Sequence, residues 1–241
     1  MNPFRFPIAA TAIAAAVTLC AGTLRAQAPD FPALSIEMEY STEKRGKPVA
    51  KESGAMRMTF EGARYGFTVA QGERGGDAAE TTVVFDLDAR TMTSVSDTDD
   101  GLVAVKMPLI SLGDQDLPAF EGTVERTDET KTILGYDTRK YILRDGGDVT
   151  EAWLAEIPDF SWSDVATGML GGRKANANRV MSYFEDMPRA FPLESHATTK
   201  GGKQVVHSYV RAVDLGGEAD LSRLDIPAGA EVQDMTQVLR F

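Results

Sequence analysis

The feature that most constrains this chain is a repeated alternation of apolar and polar residues with a period of two. Leu34, Ile36, Met38 and Tyr40 alternate with Ser35, Glu37 and Glu39. Met56, Met58 and Phe60 alternate with Arg57 and Thr59, and Tyr65, Phe67 and Val69 continue after Glu61-Gly62. Val83, Phe85 and Leu87 precede Asp88-Ala89-Arg90, and Val103, Val105, Met107 and Leu109 follow Asp100-Gly101. Later, Val149, Glu151, Trp153, Ala155 and Ile157 fall on one face, as do Val205, His207, Tyr209, Arg211 and Val213. Period two is the signature of strands with one face buried. The intervening turns are short: Glu61-Gly62, Asp145-Gly146-Gly147-Asp148, Gly201-Gly202. Connections of this length join antiparallel neighbours, since a parallel pair needs a crossover of roughly a dozen residues. The pattern predicts an antiparallel meander of about 9–11 strands.

One segment departs from period two. Ser161 to Asp164 reads as a capping box, and Trp162, Val165, Met169 and Leu170 follow at helical spacing up to Gly171-Gly172. A second helical stretch is predicted over about 176–187, with Val180, Met181, Phe184 and Met187 on one stripe and Pro188 ending it. An apolar helical hairpin is therefore expected to cover the apolar face of the sheet.

The N-terminus reads as a secretory signal. Arg5 precedes the uncharged run Ile8–Leu19 of 12 residues, and Ala26-Gln27-Ala28 offers small residues for cleavage after Ala26 or Ala28. A spanning helix needs about 20 apolar residues, so no stable membrane span is expected after cleavage. The expected division is a signal peptide over 1–28 and a single domain over 29–241, located in the periplasm. Cys20 is the only cysteine and leaves with the signal. Loss of Arg5 and Arg25 leaves 23 Lys and Arg against 36 Asp and Glu, a net charge of −13. Such a charge repels phosphate backbones, which argues against nucleic acid as a partner.

Motifs for chemistry are few. His196 and His207 are the only histidines, both on expected strands, and neither has a metal-ligand spacing. Asp97-Thr98-Asp99-Asp100-Gly101 fails as a calcium loop, because position five is glycine and position twelve is Pro108. Gly168 to Lys174 is glycine-rich, but its glycines end a predicted helix and do not open a phosphate loop. No catalytic residue, metal ligand or cofactor is assigned. The apolar residues of the expected hairpin are the candidate ligand contacts: Trp162, Met169, Leu170, Met181 and Phe184. Methionine adapts to varied apolar partners.

The stretch KTILGYDTRKYILRDGGDVTEAWLAEIPDF from Lys131 carries a family likeness. Its Ile133-Leu134-Gly135-Tyr136, Lys140-Tyr141 and Glu151-x-Trp153 resemble an uncharacterised bacterial envelope family, domain of unknown function four-four-one-two. Phe191-Pro192-Leu193 and Leu224-Asp-Ile-Pro227-Ala-Gly229 resemble it too. The likeness spans about residues 33–235, and members look like the LolA/LolB and LppX class of periplasmic carriers. The resemblance implies an unclosed antiparallel β-barrel with helices plugging the concave side, hence a mainly β, α+β fold class. It places Tyr136, Tyr141 and Trp153 on the inner face. The family often has a cysteine near Thr138, absent here, and the resemblance supplies no catalytic residue.

These readings converge on a non-enzymatic periplasmic protein that binds or carries a hydrophobic ligand, a lipid or lipidated protein. An envelope protein–protein interaction module without a small ligand is the alternative. An outer-membrane barrel is disfavoured despite the terminal Phe241: aromatic content is 8%, too low for the two girdles such a barrel needs.

Overall fold

The computed structural model describes residues 30–71, 80–98, 101–109, 122–161, 189–199 and 201–236. They form one sheet of 13 strands. In chain order these are β1 (Phe31–Lys44), β2 (Lys47–Pro48), β3 (Gly54–Gly62), β4 (Arg64–Gln71), β5 (Glu80–Asp86), β6 (Thr91–Thr98) and β7 (Gly101–Pro108). Then follow β8 (Thr123–Ile133), β9 (Tyr136–Asp145), β10 (Asp148–Glu156), β11 (Ala190–Thr199), β12 (Gln204–Leu215) and β13 (Glu231–Asp234).

The order across the sheet is β13-β7-β6-β5-β4-β3-β1-β12-β11-β10-β9-β8, with β2 beside β1. One meander therefore runs outward from β1 to β7. A second starts at the far edge with β8 and runs inward to β12. The two halves meet where β12 pairs with β1 along its length, Leu34 opposite Leu215 and Lys44 opposite Gln204. All neighbours are antiparallel except β13, which runs parallel to β7. The sheet does not close, and its ends are managed. In the edge strand β8 the register shifts between Arg126 and Thr130, a bulge occupied by Thr127, Asp128 and Glu129. Charged, bulged edges resist pairing with other chains.

The core lies on one face of β1, β3, β4 and β5. Leu34, Ile36, Met58, Phe60, Tyr65 and Phe85 are fully buried there, each next to a polar residue that points the other way. Aromatic contacts run through it: Phe31 edge-on to Phe60, Phe60 to Phe160, Phe160 to Phe191, and Tyr65 stacked on Phe85 at 4.8 Å. Each such side chain contributes about 1.5–3 kcal/mol through burial alone. A smaller cluster gathers Tyr141, Ala152, Leu154 and Ala190. Ala155 and Ile157 belong to the main cluster, so both faces of the end of β10 are buried.

The structure corrects the expected fold class. There are 13 strands in place of about 9–11, and no α-helix occurs among the described residues. The fold described is all-β, with short 3-10 turns at Ala50–Glu52, Gly216–Glu218 and Ser222–Leu224. The expected hairpin falls on residues from Trp162 onward, outside the described residues. The described core face is filled by the sheet's own aromatic side chains with Phe160, not by a described helix. The extra strands include the very short pairings of β2 and β13. Gly135 sits with Leu134 in the β8–β9 turn at φ 82°, with open space where a Cβ would stand, so it serves the turn and brings no two backbones close.

The close approach occurs instead at Gly54. A Cβ there would lie 2.1 Å from the carbonyl oxygen of Ala70 on β4. Gly54→Ala is expected to force β3 and β4 apart and to destabilise the protein by about 1–3 kcal/mol. Urea unfolding checks this, and an unchanged midpoint would contradict so tight a contact.

Candidate functional site

The core face changes character along the strands. Cross-strand partners share a face, so its rows can be followed through the register. Met38, Val210 and Leu193 make an apolar row within the main core. Beyond it lie Tyr40, Ser208, Ser195 and Ala152, joined by a 2.6 Å hydrogen bond between the hydroxyls of Ser195 and Ser208. The next row holds Thr42, Val206 and Ala197. The last holds Lys44, Gln204 and Thr199. The turn at Ala50–Glu52 packs against this end: the Thr42 hydroxyl donates to the Glu52 carbonyl at 2.7 Å, and Lys44 pairs with the Glu52 carboxylate. The face thus runs from aromatic and aliphatic to polar.

The opposite face is laced with ions. Residues 216–230 form a strap that crosses it and delivers β13 to β7. Leu224 is its buried anchor and lies over Gly66, whose missing side chain leaves it room. Three ion pairs flank the anchor: Arg57 with Asp220 at 2.6 Å, Arg64 with Asp225 at 3.1 Å, and Arg223 with Glu80. The Pro227–Gly229 turn, closed by the Ala230 amide on the Pro227 carbonyl, precedes β13. An open cleft of about 620 Å³ lies beside the strap, floored by Ala55 and Ala70 and walled by Glu37, Arg57, Glu39 and Arg211. Arg211 is the extra residue of a bulge in β12 and makes two hydrogen bonds to Glu39, at 3.0 and 2.8 Å. A second cleft of about 580 Å³ on the other side of Arg223 is more acidic, with Asp97, Asp220 and Asp225.

The strap's charge balance depends on Asp220. The Ser222 hydroxyl and amide hold its carboxyl below the ordinary value, Arg57 and Arg223 assist, and burial opposes them. On β9, Lys140 is raised above its ordinary value, chiefly by its hydrogen bond to Glu151.

The residues singled out in the sequence fare unevenly. Trp162, Met169, Leu170, Met181 and Phe184 lie outside the described residues. Tyr141 is buried in the smaller cluster and Tyr136 packs against the main one, as expected of an inner face. Trp153 does not join them. It stands between Ala152 and Leu154, which face the smaller cluster, and so points outward, with the Lys131 ammonium 4.2 Å from its ring centre. His196 and His207 face each other across β11 and β12 at 4.3 Å, and His207 stacks on Tyr209. They form a surface aromatic group with no metal-ligating cluster among the described residues. Thr98 and Gly101, flanking the aspartates of the rejected calcium loop, pair at the β6–β7 hairpin. The polar end of the core face was not anticipated, because Gln204 and Thr199 flank a Gly-Gly turn and read as ordinary loop residues.

No protein-family model matches the chain, and no curated protein does. Solved structures give distant likenesses. PNGF-II is 15% identical with a TM-score of 0.39, over 86% of this chain and 32% of its own. MucB is 12% identical with a TM-score of 0.43, over 86% of this chain and 62% of its own. A Vibrio parahaemolyticus domain assigned to outer membrane lipoprotein sorting is 8% identical with a TM-score of 0.26, over 90% of this chain and 95% of its own. The chain thus spans about a third of PNGF-II and under two thirds of MucB. At these values the likenesses carry no argument about activity.

Two outcomes follow for the strap. Leu224→Ala should cost about 2–4 kcal/mol, since it empties a buried apolar site, and should speed amide exchange in 216–230. For Asp220 the folded pKa lies below the ordinary 3.8. Its contribution is therefore present above that value and is lost as pH falls through the lower, folded one. Wild type and Asp220→Asn should differ in urea stability at neutral pH and converge in acid. A gap that persists unchanged at low pH would contradict this role.

Proposed function

We propose that this is an exported, non-enzymatic envelope protein that carries a hydrophobic ligand, an acyl chain or a lipidated protein, against the core face of its open sheet. One observation supports the reading above others: a wide unclosed sheet places an aromatic and methionine-bearing face on one side, with a polar row at its end. Partly buried Val69, Val83, Met92, Ile133 and Val206 border the fully buried core and offer further apolar contact. Such surfaces bind by area and tolerate varied chains. Trp162, Met169, Leu170, Met181 and Phe184 are proposed to add apolar contacts to the ligand.

The test is native mass spectrometry of protein purified from the periplasm without detergent. The expected result is an added mass that organic extraction removes and that proves to be lipid. Trp162→Ala and Phe184→Ala should lower the ligand-bearing fraction severalfold. A clean apo mass, unchanged after incubation with envelope lipids, would overturn the reading. It would favour a second one, a protein-interaction module, for which the ion-paired cleft of Arg57, Arg211 and Glu39 provides a built surface. One stoichiometric protein partner in a pull-down would then be expected.

A further inference from the structure

The polar end of the core face contains side chains that nothing among the described residues satisfies. Gln204 is 1% exposed, and neither its Nε2 nor its Oε1 has a hydrogen-bond partner. Thr199, directly opposite it on β11, has a buried Oγ1 without a partner. On the β1 side Lys44 stands opposite Gln204 and pairs with Glu52 through one carboxylate oxygen, while Glu52 Oε2 is buried without a partner. These atoms occupy one corner of the molecule.

Burying an amide without its hydrogen bonds costs about 1–3 kcal/mol, and an unpaired carboxylate oxygen costs more. Four such atoms together are an arrangement that ordinary core packing removes, since leucine would fill the place of Gln204 with gain. Their positions are fixed by the strand period. Gln204, Val206, Ser208 and Val210 share a face, and Val206 and Val210 touch the main core. Thr199, Ala197, Ser195 and Leu193 share it on β11, and Leu193 is in the core. The unsatisfied atoms therefore cap the same face on which the acyl chain is proposed to lie.

We infer that this corner reads the polar head of the guest, and that the head is an amide. The inference rests on the carrier reading above. Gln204 offers an N–H donor beside a carbonyl acceptor, so it is satisfied by a group that has an acceptor and a donor of its own. Thr199 can serve either way. Glu52 Oε2 needs a donor and repels an anion, which disfavours an ionised carboxylate. An ester supplies acceptors only and leaves Gln204 Oε1 and Glu52 Oε2 unpaired. An acyl chain ending in a primary amide, with two N–H donors and a carbonyl acceptor, meets every requirement. Discrimination of this kind is large because the wrong head leaves buried groups unpaired.

The experiment displaces a fluorescent apolar dye, N-phenyl-1-naphthylamine, from the exported protein with dodecanamide, methyl dodecanoate or dodecanoate. The wild type should bind the amide about tenfold more tightly than the ester or the carboxylate, the effect of one to two neutral hydrogen bonds. Gln204→Leu should bring amide and ester within about twofold of each other, with thermal stability that holds or rises. Equal binding of amide and ester by the wild type overturns the head-group inference and leaves the carrier reading standing. So does a preference that survives Gln204→Leu. Should the variant fold poorly, Thr199→Val, which removes one hydroxyl at constant shape, is expected to reduce the preference severalfold, and an unreduced preference overturns the inference. Failure of the dye and of all three ligands to bind the wild type overturns both.

Discussion

The burial of β1 between β3 and β12 is the constraint on which the rest depends. Within the sheet, the strands β1 to β7 and β8 to β12 join only where β1 pairs with β12. Leu34, Ile36, Met38 and Tyr40 face the core, while Ser35 and Glu37 face the strap side. A slip of one residue would exchange these sets and bury Glu37 and Glu39 in place of Ile36 and Met38. The register is held from both sides, by Ile36 opposite Met58 and Val213, and by the bulge that turns Arg211 toward Glu39. The aromatic chain from Phe31 through Phe60 to Phe191 then ties the N-terminal half to the end of β10 and the start of β11.

The first half of the sheet was legible in the sequence because its strands alternate cleanly. Met56-Arg57-Met58-Thr59-Phe60 can be nothing but a half-buried strand. The second half was less so. β8 is polar on both faces, since an edge strand buries little, and its Thr127–Glu129 bulge interrupts any period. The parallel pairing of β13 with β7 could not be read either, because Glu231–Asp234 is fully exposed and its place is set by the strap. Trp153 was misplaced for a related reason. Large aromatic residues are expected inside, yet its ring gains a cation partner in Lys131 and remains half-exposed. The histidines, expected on strands, lie on β11 and β12.

The two faces differ in character: the core face is packed with apolar and aromatic side chains. The outer face, by contrast, is balanced by ion pairs between β1, β3, β12 and the strap. Exposed pairs of this kind contribute little each to stability, about 0–1 kcal/mol. Their value lies in fixing the position of the strap. The polar corner at Gln204 belongs to the core face, where burying unsatisfied groups is costly.

Amide hydrogen exchange of the protein, with and without an added lipid, tests the central claim most directly. Loading is expected to slow exchange in residues 38–44 of β1 and 204–210 of β12, along the face that leads to Gln204. Protection confined to the strap at 216–230, or no change in any strand, would contradict a guest on the core face.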